Sequence, residues 1–508
     1  MQDWCQCGVP RKTGVEKWWP AGGGFAGGAP ENAGPPAGDS GKLFAAGREE
    51  ATFIPCRYVY YAETFHHPGV FAKLRLYMNE NRHIPFLQKK PVFLLILAIV
   101  ATTLLSWFNL NSILIILLLV WRLAYGGRPL AAIRTAFTNR FFLAYFSLFA
   151  IEVLGMLYTH DIYTAYKHVE SKATLVAIPF VFCAGEPIDR KGFLQLLRGY
   201  CLLLAGICGF CLAVAVWQYR QTGDAGLFFY HALTEVIGVN AVFFSGYVFV
   251  AQLYLLSPEG KGKLRMALTI FFTVMMVLLA SKLMLILQAI VFLVYLRGWS
   301  RVKLKTSQFV GLALLVIGGT GTLAVTRNPV GDRYQDIMHD DLRYAGKHHV
   351  PLHAVFNGVS LRLLIWQFAE EILNERRAWA IGVTSGDSQD LLNRKYLTAN
   401  MSRGFLSYNF HNQYIEVLVR SGVAGFCIFL AAIALLVELA RRTGTKEGWF
   451  ILAMQLLLMS TESTLEMQHS LFLFCFFPLL FRYEVQRAPI LFSDFWRGSW
   501  SRPEVHGS

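Results

Sequence analysis

The stretch VFLLILAIVATTLLSW, residues 92–107, runs without one charged side chain. Such a run belongs in hydrocarbon or in a deep protein core. LALLVIGGTGTLAV, residues 312–325, repeats the pattern. With 55% apolar and 14% aromatic residues in a chain of 508, there is more apolar surface than one or two soluble domains would cover. The sequence reads as an all-α, polytopic integral membrane protein. Twelve apolar segments are expected, near 92–107, 111–125, 141–158, 173–184, 193–217, 238–256, 264–280, 283–296, 308–325, 414–440, 448–460 and 468–481. Several fall short of the ~20 residues of a perpendicular span.

Charge supplies an independent test of topology. The loops after the second, fourth, sixth, eighth and tenth segments, with Arg122, hold seventeen Lys or Arg; the other short loops hold only Lys167, Lys172, Arg220 and Lys282. Basic residues concentrate in cytoplasmic loops, so both termini are expected in the cytoplasm. The one long loop, 326–413, then lies outside, between the ninth and tenth segments. The same bias accounts for the net charge of +14, and no nucleic acid is expected as a partner.

The domain layout follows. Residues 1–77 are rich in Gly, Ala and Pro, lack periodicity and carry no signal-peptide core;. They read as a disordered leader, or as a spurious one if the natural start is Met78. Residues 78–325 hold the first nine spans, 326–413 the large loop, 414–482 the last three spans, and 483–508 a cytoplasmic tail. The nine cysteines lie in the leader or in and beside apolar segments, so neither a disulfide framework nor a zinc site is expected. His348, His349 and His353 also match no compact ligand face, and no metal is expected.

Function is expected in the external loop. Between 327 and 410 it holds ten basic and nine acidic residues, so it is not simply a cationic surface. In SLRLLIWQFAEEIL, residues 360–373, Leu361, Leu364, Ile365, Phe368 and Ile372 recur at helical spacing, which predicts an amphipathic helix on the membrane face;. Arg362 and Trp366, four apart, share one side of it. IGVTSGD follows, where Gly382 and Gly386 permit a tight turn whose amides could approach an anion. HNQYIEVLVRSG then opens the next helix with His411 and Asn412. The helix dipole disfavours imidazolium there, which predicts a neutral imidazole able to accept a proton. Arg362, Arg403 and Lys282 could hold a phosphate. A base beside such cations suits transfer of a group from a phosphorylated donor to a hydroxyl.

SLRLLIW, IGVTSGD and FHNQYIEVLVRSGVAG together resemble the signature of the O-antigen ligase and O-antigen polymerase family, and twelve spans with the loop after the ninth resemble its ligase branch. The resemblance covers residues 85–485, with its specific motifs confined to 360–425. It implies that His411 is the general base and that Arg362 contacts a pyrophosphate. LLASKLMLIL, residues 278–287, resembles the family's Ser-Arg step, with Lys282 in place of the usual arginine. YHALTEVIGVNAVFFSGYV resembles its His-Pro segment, but Val239, Asn240 and Ala241 depart from it. STESTLEMQHS places Glu462 and Glu466 where the family often has an acidic residue.

The implied activity is transfer of a glycan from undecaprenyl pyrophosphate to an acceptor hydroxyl, a lipid A core sugar first among candidates. It would occur at the periplasmic face of the bacterial inner membrane, among its lipids, with no cofactor and no metal. A polymerase of the same family would carry similar residues. A glycan-lipid flippase would instead distribute charged residues along its spans; here Glu152 is the clearest such residue, which favours chemistry at the external face.

Overall fold

A computed structural model of the chain describes residues 86–185, 188–257, 263–299, 356 and 358–481. The leader 1–77, the ninth apolar segment, the loop up to residue 355, including His348, His349 and His353, and the tail lie outside the described residues. Among the described residues every regular element is helical. In chain order these are α1 (Lys90–Leu104), α2 (Phe108–Ala124), α3 (Pro129–Phe137), α4 (Arg140–Gly155), α5 (Ile162–Ser171), α6 (Thr174–Cys183), α7 (Arg190–Thr222) and α8 (Tyr230–Thr234). There follow α9 (Ala241–Leu256), α10 (Lys263–Leu279), α11 (Lys282–Trp299), α12 (Gly358–Glu375), α13 (Thr384–Thr398), α14 (Gln413–Thr443), α15 (Lys446–Thr461) and α16 (Gln468–Leu480).

Local signals set the helix ends. Asp189 caps α7 by accepting the Gly192 amide at 2.7 Å, and Gly223 ends it at φ 71°. Asn412 caps α14 by accepting the Tyr414 and Ile415 amides at 2.9 and 3.2 Å, and Gly444 ends it at φ 62°. Side-chain acceptors at helix starts and left-handed glycines at helix ends satisfy backbone groups that have no partner within the helix.

By length and composition α7 and α14 can each cross a membrane alone, and up to four spans result if two bent pairs, α2 with α3 and Tyr230–Ile237 with α9, each count as one. α1 and α16 are shorter apolar helices. Leu94, Ile116, Leu117, Leu154, Leu202, Ile270 and Ile286 expose more than half of their surface. So large an apolar exterior is stable only against hydrocarbon, and the chain is a membrane protein.

α9 is the central helix: fifteen of its sixteen residues are buried, all but Val242. Gly246 lets it approach α15 and α16, since a Cβ there would stand 2.8 Å from Leu473. Hydrogen bonds from Tyr247 Oη to the His469 carbonyl (2.7 Å), Tyr200 Oη to the Tyr247 carbonyl (2.6 Å) and Tyr145 Oη to the Phe474 carbonyl (3.1 Å) join neighbouring helices. Such bonds, with small residues at crossings, hold helices together where water offers no hydrophobic drive.

A second core lies around α12 and α13. Leu364, Ile365, Phe368 and Ile372 are buried with Leu392, Tyr396, Met401, Phe410 and Val419. The stripe expected on the membrane face is thus covered by protein. Its periodicity identified a buried face, and α13 with the 401–410 segment supplies the cover.

α14 is broken at Gly422, with φ 62° and ψ −167°. There the chain crosses the segment after α12 at backbone distance: Val383 donates to the Val419 carbonyl at 2.8 Å, Val423 to Trp379 at 2.7 Å and Ala424 to Ala380 at 3.1 Å. A Cβ at Gly422 would stand 2.4 Å from the Ala380 carbonyl carbon, and one at Gly382 (φ 75°) 2.3 Å from that of Arg420. Only glycine fits a conformation and an approach of this kind. Gly422→Ala is expected to destabilise the fold by about 2–4 kcal/mol through backbone strain and overpacking. Gly209→Ala, where a Cβ meets nothing within 4 Å, should leave the thermal midpoint in detergent nearly unchanged. Equal midpoints for the two variants would refute this account of the crossing.

Candidate active site around Glu462

Glu462 follows the last residue of α15 and is 9% exposed. Its Oε1 accepts from an Arg362 guanidinium nitrogen at 2.9 Å, and its Oε2 lies 3.3 Å from His411 Nδ1. One carboxylate therefore joins the two residues expected to carry the chemistry. Arg362 also donates through Nε to the Thr461 carbonyl (3.1 Å) and through another nitrogen to the Gly358 carbonyl (2.7 Å). A guanidinium has five N–H donors, so two have no partner among the described residues.

His411 sits at φ 47° in a turn just before α14. Its amide donates to Asn409 Oδ1 at 2.9 Å, and the Tyr408 ring meets the imidazole edge-on with centroids 5.6 Å apart. A left-handed conformation is uncommon for a non-glycine residue and persists where surrounding contacts fix it. Asn412 caps the helix and donates through Nδ2 to the Ser460 carbonyl at 3.1 Å. Trp366, one turn after Arg362 on α12, donates through Nε1 to the Phe410 carbonyl at 3.0 Å. Trp366 thus meets the 410–412 turn directly, and Arg362 meets it through Glu462.

The carboxylate also fixes the imidazole's proton. A neutral imidazole facing Glu462 through Nδ1 keeps its hydrogen there, which leaves the Nε2 lone pair as acceptor. If Nε2 takes a proton, Glu462 stabilises the imidazolium formed.

Lys282 is partly buried and opens α11. Near the far end of that helix Tyr295 Oη donates to Glu447 at 2.5 Å, and its ring lies against Phe450. α11 and α15 are therefore antiparallel, which puts Lys282 at the end of the bundle where Glu462 lies. Arg403 is exposed in the short turn 403–405 and makes no ion pair with the described residues.

Two expected groups serve elsewhere. The Gly382 amide donates to the Ala378 carbonyl at 2.7 Å and the Val383 amide to Val419, so the glycine turn is a crossing point and its amides are not presented to an anion. Gly386 allows close packing: a Cβ there would stand 2.3 Å from Thr159 Oγ1 and 2.4 Å from the Asp161 carbonyl oxygen. Glu466 belongs to a separate buried cluster. It meets Lys172 at 2.8 Å, Arg420 at 2.5 Å and His168 at 3.5 Å; Lys172 also pairs with Glu152, and Arg420 with Glu416 at 2.7 Å.

Sequence reasoning missed His231, which lies within electrostatic reach of Glu462 on the short helix before α9. The break that brings it there has a signal, since Gly238 (φ 67°) precedes Asn240, which caps α9 by accepting the Val242 amide at 2.8 Å;. Glu416 and Arg420, four apart in an apolar helix, were legible as an intramembrane ion pair.

Residues 267–430 match the family model described as O-Antigen ligase. That match spans less than half of the chain and supports a place in the O-antigen ligase family. It takes in Lys282, Arg362, Trp366, Gly382, Arg403, His411 and Asn412, while Glu462 and Glu466 lie beyond its matched span. Among curated proteins none matches the chain. The O-antigen ligase family supports a glycan-transferring role in a membrane, in lipopolysaccharide biosynthesis, with a lipid-linked glycan and a glycan acceptor as partners.

Burial by itself would raise the proton affinity of the Glu462 carboxyl, but His411 and Arg362 outweigh it and hold the group below the usual range;. A carboxyl lowered in the folded state stabilises the fold above its unfolded value and loses that contribution as pH falls through the folded value. The thermal midpoint should therefore drop below about pH 4.5, the ordinary carboxylate value, and Glu462→Gln should make that drop shallower. An unaltered slope would remove Glu462 from the linkage.

Proposed function

We propose that the chain is an O-antigen ligase-like glycosyltransferase that moves a glycan from undecaprenyl pyrophosphate to an acceptor hydroxyl, a lipid A core sugar in the first instance. The active site faces the periplasm from the bacterial inner membrane, in a bundle of about twelve spans with the large loop between the ninth and tenth. The layout at residues 78–325, 326–413 and 414–482 belongs to the same reading.

The observation that carries it is Glu462 held between Arg362 and His411. His411 Nε2 takes the proton of the acceptor hydroxyl as its oxygen bonds to the anomeric carbon and the bond from that carbon to the pyrophosphate oxygen breaks. The leaving pyrophosphate gains negative charge, which the two N–H groups of Arg362 that have no partner among the described residues meet, with Lys282 and Arg403 adding positive charge nearby. Neutralised pyrophosphate is a good leaving group, so orientation and charge suffice and no metal is obligatory.

His411→Ala is expected to abolish transfer while the protein still accumulates in the membrane. Lipid-linked glycans and those on lipopolysaccharide would be resolved separately in cells carrying either chain. Long glycans retained on undecaprenyl pyrophosphate and absent from lipid A support a ligase. Accumulation of single repeat units would make the chain a polymerase, and near-normal transfer would remove His411 from the role of base. Lys282→Arg should be tolerated, and Lys282→Ala should weaken donor use by about tenfold, the scale of one charge-assisted contact. Equal activity of these two variants would exclude a charge role for Lys282.

A further inference from the structure

Four side chains of the first turns of α14 tie it to the 460–466 segment. Asn412 donates to the Ser460 carbonyl (3.1 Å), Gln413 Oε1 accepts the Leu465 amide (2.7 Å), and Arg420 pairs with Glu466 (2.5 Å). The fourth is Glu416, which is 1% exposed. Its Oε2 accepts both the Ser463 hydroxyl at 2.8 Å and the Phe410 amide at 3.3 Å, while its Oε1 pairs with Arg420 at 2.7 Å. Phe410 directly precedes His411, and Ser463 directly follows Glu462. A single carboxylate oxygen thus holds the chain neighbours of both members of the histidine–carboxylate pair.

This matters because the pair is long. At 3.3 Å the His411–Glu462 contact lies beyond the usual N–H···O range, which ends near 3.2 Å, and a contact at about 3.6 Å is no longer a hydrogen bond. A displacement of a few tenths of an ångström in either neighbour breaks it. The turn also holds Ser407 at φ 73° and His411 at φ 47°, conformations that persist only when several contacts enforce them. We propose that Glu416 is a positioning residue: through Phe410 and Ser463 it sets the separation of His411 Nδ1 from Glu462, and Arg420, shared with Glu466, fixes the Glu416 carboxylate in turn. This rests on the reading of His411 as general base.

The test uses the full chain in lipid vesicles, with undecaprenyl pyrophosphate-linked glycan extracted from cells as donor and lipid A core as acceptor. Glu416→Ala is expected to lower kcat by about 10–100-fold, the scale of a misplacement near 1 Å, with the donor KM within about twofold. Glu416→Gln, which keeps one acceptor oxygen for Phe410 and Ser463, should recover most of that loss. The ¹⁵N shifts of the His411 imidazole should show the Nδ1–H preference weakened in the alanine variant and kept in the glutamine variant, whether or not His411 is the base. Wild-type kcat in Glu416→Ala overturns the proposal, as do equal losses in both variants accompanied by a raised KM. If Glu416→Ala does not reach the membrane, Ser463→Ala decides: a fall in kcat at constant KM supports the positioning role, and no change overturns it. His411→Ala, run alongside, separates the two claims. Its retention of turnover refutes the base assignment, whereas its inactivity beside an unimpaired Glu416→Ala refutes the positioning role alone.

Discussion

The Glu462 carboxylate binds a guanidinium 100 positions earlier in the chain and an imidazole 51 positions earlier. Everything around it serves to keep those groups together against their tendency to separate into water. Glu462 sits where α15 ends, Arg362 comes from α12, and His411 precedes α14. Each would be ordinary alone. Buried between a guanidinium and an imidazole nitrogen, the carboxylate is satisfied without solvent, and it orients both partners in return.

The backbone crossing at Gly382 and Gly422 is what allows this. α14 has to pass close to the segment after α12, and with no side chain on either glycine the strands of backbone exchange hydrogen bonds directly. The core of Leu364, Phe368, Tyr396 and Phe410 then anchors α12 and α13 as one unit, so that Arg362 reaches Glu462 and Trp366 reaches Phe410 from a fixed helix face. Asp387 extends the anchor by accepting the amides of His160 (3.0 Å) and Asp161 (3.1 Å). The TSGD stretch is thus a docking device between α13 and α5.

Local spacing carried much of this in readable form. The i, i+4 relation of Arg362 and Trp366 placed both on one face, the HN pair marked a helix start, and each of the eleven apolar segments within the described residues is helical. Partner choice was not readable. The periodicity of Leu361, Leu364, Ile365 and Phe368 says that a face is buried, yet lipid and protein satisfy it equally. Glu462 and Glu466 stand four apart in one motif, but only tertiary packing sends one to Arg362 and the other to Arg420 and Lys172. His231 reaches the site through a bend of 84° between Tyr230–Ile237 and α9, a geometry to which hydropathy is blind.

The two charge clusters differ in a way that bears on the proposed chemistry. Glu152, Lys172, Glu466, Arg420 and Glu416 close on one another, and the ion pairs among them have side chains no more than 11% exposed. Charges matched this way cannot lower the energy of a passing ion or headgroup, because reaching it would break an existing pair. They hold helices in register, which argues against Glu152 as part of a transport path. Around Glu462 the pairing is incomplete among the described residues: two N–H groups of Arg362 and Nε2 of His411 have no partner there. Side chains there are 27% and 18% exposed. A group with unmet hydrogen-bonding capacity at a partly open position is where an anionic donor and an acceptor hydroxyl can displace water and be held in line.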